Sequence, residues 1–155
     1  MTKAATFRAV FDTNIIIAAL KSKNPGSPTI ELLRRWSAGE FTLLYCDDLQ
    51  AEYQEKFVSH NIPLELRASF LANLLALGEY VEVTPDQVQH LVLADPDDDI
   101  VIACALVGQA THLVTYDPHL LNLGQTVRGV TILDGLHFLY LVRGDTPPDK
   151  ADMVA

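Results

Sequence analysis

The chain has 155 residues, 20 acidic against 11 Lys and Arg side chains, a formal net charge of -9 and 49% hydrophobic residues, which suits one domain with a sizeable core. Its longest uninterrupted apolar stretch, residues 100–108, is far short of the roughly 20 residues of a membrane span, so a soluble protein with no membrane association is expected. The acidic balance argues against nucleic-acid binding through bulk electrostatics, because phosphate recognition normally leaves a basic footprint.

The N-terminus has an early lysine and later apolar residues, but Asp12, Thr13 and Asn14 interrupt them and no cleavage site follows; no signal peptide is expected. "FRAVF", residues 7–11, reads as a strand ending against Asp12, followed by a short helix from Asn14 through "IIIAAL". "KSKNPGSP" is loop by composition. Residues 29–40 place Ile30, Leu33 and Trp36 at helical spacing and stop near Gly39, giving a second helix. "FTLLYC" is a second buried strand, and "DDLQAEYQEKFVSH" an amphipathic helix with Leu49, Tyr53 and Phe57 in one stripe. Residues 63–77 form a helix opened by Pro63 and closed before Gly78, and "YVEV" is a short strand.

"IVIACALV" is ambiguous by periodicity, but its alanines, the acidic residues before it and Gly108 after it favour helix. "HLVT" is then a strand leading to Asp117, "PHLLNL" a helical turn, "VTIL" the last strand and "DGLHFLYLV" the closing helix. This alternation predicts an α/β domain over residues 1–143, with a mainly parallel central sheet of four to five strands covered on both faces, and a polar tail over 144–155. Cys46 and Cys104 stand alone in apolar contexts, which suits core residues of a reduced, cytoplasmic protein. The five histidines show no HExxH or comparable spacing, so zinc has little support.

The sharpest feature is "ADPDDDIVIACALV", where Asp95, Asp97, Asp98 and Asp99 crowd into five positions ahead of an apolar run. In an open parallel sheet, functional groups collect beyond the carboxyl ends of the strands. Asp12 follows the first strand and Asp117 follows "HLVT", so both point into one crevice. Whether Asp98 joins them is open, because the crossover places its helix's N-terminus near the other end of the sheet unless the incoming loop brings it over. Singly, each acid has an ordinary reading. Asp12, Asp98 or Asp99, and Asp117 before Pro118 could each be helix caps worth roughly 0.5–2 kcal/mol, and Glu52 a solvated helix charge. Jointly they do not, because two like charges about 4 Å apart repel by roughly 4 kcal/mol at an effective dielectric near 20. Converging carboxylates need a cation, and an oxygen-only donor set suits Mg²⁺ or Mn²⁺.

Taken in order, "FDTNIIIAAL", "CDDLQAEYQEKF", "DPDDDIVIACALVGQATHLVTYD" and "PHLLNL" resemble the PIN-domain ribonucleases, particularly the toxin components of bacterial toxin-antitoxin pairs, over about residues 7–134. The resemblance implies a PIN-like three-layer α/β/α fold and metal-dependent endoribonuclease activity that leaves a 5′-phosphate and a 3′-hydroxyl. It assigns the catalytic acids to Asp12, Glu52, Asp98 and Asp117, with Asp12, Asp98 and Asp117 as metal ligands. Asn14, Thr115, Asp95 and Asp99 take supporting places; Asp99 is the competitor of Asp98, and Glu52 is preferred to Glu55. It further implies an RNA substrate, an antitoxin protein as partner and room for a homodimer. Tyr116 replaces the glycine that often precedes the last acid in the family, an exchange expected to narrow the pocket mouth. Lys21, Lys23, Arg34 and Arg35 are the local basic cluster, either a solvated face or a guide for RNA. The competing functions are a PIN-like protein-interaction module without turnover and a receiver-like or phosphatase-like domain. The latter lacks a second Asp where Asn14 stands and a Lys after a late strand.

Overall fold

Alternating apolar runs and amphipathic segments fold as the sequence predicts, into helices packed on a central sheet. The computed structural model describes residues 7–88 and 96–146, apart from the side chains of Pro96 and Asp97. Among the described residues there are six strands: β1 (Arg8–Phe11), β2 (Thr42–Tyr45), β3 (Glu79–Tyr80), β4 (His112–Val114), β5 (Thr126–Val127) and β6 (Val130–Leu133). The helices are α1 (Thr13–Lys21), α2 (Pro28–Ser37), α3 (Asp47–Ser59), α4 (Leu64–Leu77), α5 (Pro96–Val107), α6 (Pro118–Leu121) and α7 (Gly135–Arg143). The strand order is β3-β2-β1-β4-β6-β5, with every pairing parallel except β5 with β6.

Two strand expectations change. The sheet has six strands rather than four to five, because β5 adds a two-residue antiparallel edge through the tight turn at Arg128 and Gly129. Both turn residues have positive φ, 48° and 88°, as a two-residue hairpin turn requires. The strand expected over 80–83 shrinks to Glu79–Tyr80, and the chain then enters a 3₁₀ turn at Pro85–Gln87. The tail expected over 144–155 lies outside the described residues from position 147 onward.

Parallel register puts Val10, Leu113 and Ile132 side by side on one face, and Ala9, His112 and Thr131 on the other. Helix α5 covers the first face, with Ile102, Ala105 and Leu106 against Leu113, Val130 and Ile132. Phe138 of α7 covers the second, its ring edge-on to Phe7, Phe11 and Phe41 and tilted against His112. Burying a ring this size contributes up to roughly 3 kcal/mol. Burial also pushes the His112 pKa down, so it packs as a neutral ring. Phe70 of α4 closes a further corner between Trp36, Tyr53 and Phe57. Cys46 and Cys104 are buried free thiols. No helix among the described residues is long and apolar enough to cross a membrane.

The direction of α5 settles where its acids stand, and it corrects the expectation drawn from the crossover. Its C-terminal end lies at the start of β1, where Arg8 Nη2 donates to the Gly108 carbonyl at 2.8 Å. Gly108 is required there, since a Cβ would come within 2.8 Å of Val81 and 2.9 Å of the Cys104 carbonyl. Helix α5 therefore runs antiparallel to the strands, and its acidic N-terminus sits at their carboxyl ends.

Candidate active site

Strand β1 ends at Phe11, and the next residue turns the chain into α1. Asp12 donates its N–H to Val114 O of the neighbouring strand (2.9 Å) and caps α1 through Thr13 N–H to Oδ1 (2.8 Å). Its other oxygen accepts from Thr115 Oγ1 (2.7 Å) and Asn14 Nδ2 (3.2 Å). The ordinary reading of Asp12 as a helix cap is thus correct, yet it leaves the carboxylate, 5% exposed, oriented toward the space beyond the sheet.

The remaining acids arrive from three other elements. Tyr53 is fully buried on α3 and donates its hydroxyl to Phe11 O at the end of β1; burial pushes its pKa well up, so that proton stays. This anchor delivers its helix neighbour Glu52 to the Thr13 hydroxyl, which donates to Oε2 at 2.6 Å. Asp117 follows β4; its N–H donates to Thr115 Oγ1 (2.9 Å), and its Oδ1 accepts from the N–H of His119 (2.9 Å). Asp98, from the first turn of α5, is buried and hydrogen-bonded to Asp117. Burial pushes the Asp117 pKa up, but hydrogen bonding with Asp98 and with His119 outweighs it and holds the carboxyl below its usual range. Two carboxyl groups in contact must share either a proton or a cation.

Asp12, Glu52, Asp98 and Asp117 line one cleft of about 340 Å³, together with Thr13, Asn14, Ile17, Ala18, Lys56 and His60. All four sequence-selected acids therefore meet. Asp98 lines the cleft and its neighbour Asp99, also buried, is not among the lining residues; Glu55 is exposed. Asn14 and Thr115 are the brackets: the Asn14 amide bonds Asp12 and Thr115, and its carbonyl accepts from Tyr116 N–H (3.1 Å). Asp95 lies outside the described residues. Tyr116, expected to narrow the mouth, is not among the lining residues; its hydroxyl lies over Gly135, within 2.6 Å of where a Cβ would stand.

The four candidate cations do not surround the acids as a group. Lys21 Nζ sits 3.5 Å from His60 Nδ1 on the cleft wall, and Lys23 is exposed. Arg34 borders an apolar groove with Leu20, Leu33 and Leu66, and Arg35 is tied to Glu31 and Glu40 at 2.9 and 2.7 Å. The basic side chains at the cleft that sequence reasoning missed are Lys56 on α3 and His60 at its C-cap, four and eight residues beyond Glu52. Their spacing of four and eight was the available signal.

The donor set fits a hard divalent ion: carboxylates predominate, their backbone is fixed by sheet and caps, and two of them already touch. The family model for the PIN domain matches residues 8–119. The chain belongs to the PIN domain family. A search of curated proteins finds no match. Among solved structures, PAE2754 from Pyrobaculum aerophilum is similar with a TM-score of 0.59 and 16% identity, covering 91% of this chain and 92% of that one. VapBC2 from Rickettsia felis, solved bound to a DNA fragment from their promoter, is similar with a TM-score of 0.57 and 16% identity, covering 82% of this PIN domain chain and 98% of that one.

Proposed function

We propose that this PIN domain is a metal-dependent endoribonuclease, the toxin of a toxin-antitoxin pair, that hydrolyses RNA phosphodiester bonds at Asp12, Glu52, Asp98 and Asp117 with Mg²⁺ or Mn²⁺. The observation that carries the reading is the convergence of four acids from four elements on one cleft. The family is one of nucleases, and the likeness to VapBC2 agrees with a chain that works beside an antitoxin protein.

Asp98 and Asp117, whose donor atoms lie together, would hold the ion with Asp12 joining them from the end of β1, and Asn14 and Thr115 fix the orientation of Asp12. A bound divalent ion supplies neutralisation of phosphate charge and a more acidic water. Glu52, held by Thr13, stands across the cleft as the group that accepts the proton of the attacking water. Lys56, His60 and Lys21 lie along one wall, where they attract the phosphate next to the scissile one. This local track offsets the net charge of -9, since steering depends on the field at the cleft rather than on the total.

The test is cleavage of single-stranded RNA by the full chain with Mg²⁺ or Mn²⁺, compared with Asp12→Asn. We expect products ending in 5′-phosphate and 3′-hydroxyl, and a rate lower by at least about a hundredfold in the variant, equivalent to about 2.7 kcal/mol. Cleavage at the wild-type rate by Asp12→Asn would overturn the assignment. A wild-type protein that binds its partner but cuts no RNA would favour the interaction module instead.

A further inference from the structure

Helix α6 begins Asp117-Pro118-His119, with Asp117 as its cap and Pro118 setting the first turn. That turn folds His119 back on the acid before it. The His119 N–H donates to Asp117 Oδ1 at 2.9 Å, and ring Nδ1 lies 3.2 Å from the same oxygen. The imidazole is 57% exposed, with its Nδ1 turned toward Asp117. Asp98, Asp117 and His119 each offer a donor atom, all within 4.8 Å of one another, and among the described residues no other three His, Cys, Asp or Glu side chains do so. Adjacent donors around a small divalent ion at about 2.1 Å stand about 3 Å apart, close to the observed Asp117 to His119 separation.

We propose that His119 is a nitrogen ligand of the divalent ion held by Asp98 and Asp117, and that it makes the centre prefer Mn²⁺ over Mg²⁺. The inference rests on the acid cleft binding an ion, and it changes the donor set from oxygen alone to oxygen and nitrogen. Magnesium takes oxygen ligands and keeps its waters, whereas imidazole suits transition metals, among them Mn²⁺. The competing role for His119 is a cationic partner of Asp117, which an incoming metal would displace. The two roles predict opposite effects of removing the ring. A ligand lost weakens Mn²⁺ binding, while a competing cation lost leaves it equal or strengthens it.

The experiment titrates Mn²⁺ alone, then Mg²⁺ alone, into the full chain and into His119→Ala and His60→Ala, and records electron spin-echo envelope modulation of bound Mn²⁺. Wild type should show ¹⁴N modulation, and His119→Ala should lose it together with about tenfold or more of Mn²⁺ affinity, with a smaller loss for Mg²⁺. His60→Ala, which removes a cleft-lining ring outside that donor group, should keep both. Mn²⁺ that binds without nitrogen modulation, or modulation that survives His119→Ala, overturns the role of His119 and leaves the acid site standing. A wild-type chain that takes up neither ion overturns both.

Discussion

Carboxylates are held in two different ways in this molecule. On the helical flank, Glu31 of α2 lies between Arg143 of α7, at 2.5 and 2.7 Å, and Arg35, at 2.9 Å. The Arg143 hydrogen bonds, joined by Arg35, hold its pKa down to about 2. At the carboxyl edge of the sheet, Asp12 takes a backbone N–H, an amide and a hydroxyl, and it shares its cleft with three more acids. Guanidinium groups answer the charge of Glu31, so that carboxylate serves the fold by joining α2 to α7. Neutral donors orient Asp12, and the acids gathered with it in one cleft attract a cation. The difference separates a structural ion pair from a site.

Removing the bracket at the carboxyl edge should have the larger effect. Thr115→Val deletes the fully buried hydroxyl that donates to Asp12 and accepts from Asp117 N–H. Urea unfolding at pH 7 should show a loss of about 1–3 kcal/mol, and RNA cleavage should slow by at least about tenfold. Stability and rate both unchanged would mean that Thr115 does not position the acids.

Removing a partner on the helical flank should have a smaller effect and a distinct pH signature. Glu31 has a folded pKa of about 2 against 4.5 ordinarily. Its pairing therefore stabilises the fold fully above the unfolded value, and that stability is lost as pH falls toward 2. Arg143→Ala should cost less stability at pH 7 than Thr115→Val, since Arg143 is screened by solvent. The gap from wild type should close between about pH 5 and pH 2, while cleavage at pH 7 stays unchanged. A gap that persists at pH 2 would show that Arg143 acts through packing rather than charge.

The two settings were unequally legible in the sequence. Asp12 and Asp117 could be placed because each follows a β-prone run, and strand ends in parallel sheets define one edge. Glu52 came from the family resemblance together with its place beside the Leu49 and Tyr53 stripe, although only the Tyr53 hydroxyl bond explains how the helix is seated. The sequence leaves Asp98 open, although a helix leading into a parallel strand starts at the carboxyl edge, which is where α5 places it. The basic cluster misled because proximity in sequence said nothing about pairing, yet Glu31 and Arg35 stand four apart on one helix face, which already removes one cation. Strand β5 was too short and polar to register, and its signal was Arg128-Gly129 between two valines. The signal for His119 in the sequence is the acid two residues earlier, Asp117, and not its spacing from the other histidines.

The central claim is that four acids form one cation site, and thermal unfolding with and without Mn²⁺, for wild type and Asp12→Asn, tests it most directly. At about 100 times its dissociation constant the ion should stabilise wild type by about 2.7 kcal/mol, a rise of about 5–10 °C in Tm. Asp12→Asn keeps a capping side chain and removes one negative charge, so without metal it should melt no lower than wild type, and Mn²⁺ should move it little. A wild-type Tm indifferent to Mn²⁺, or an equal shift in Asp12→Asn, would contradict the account.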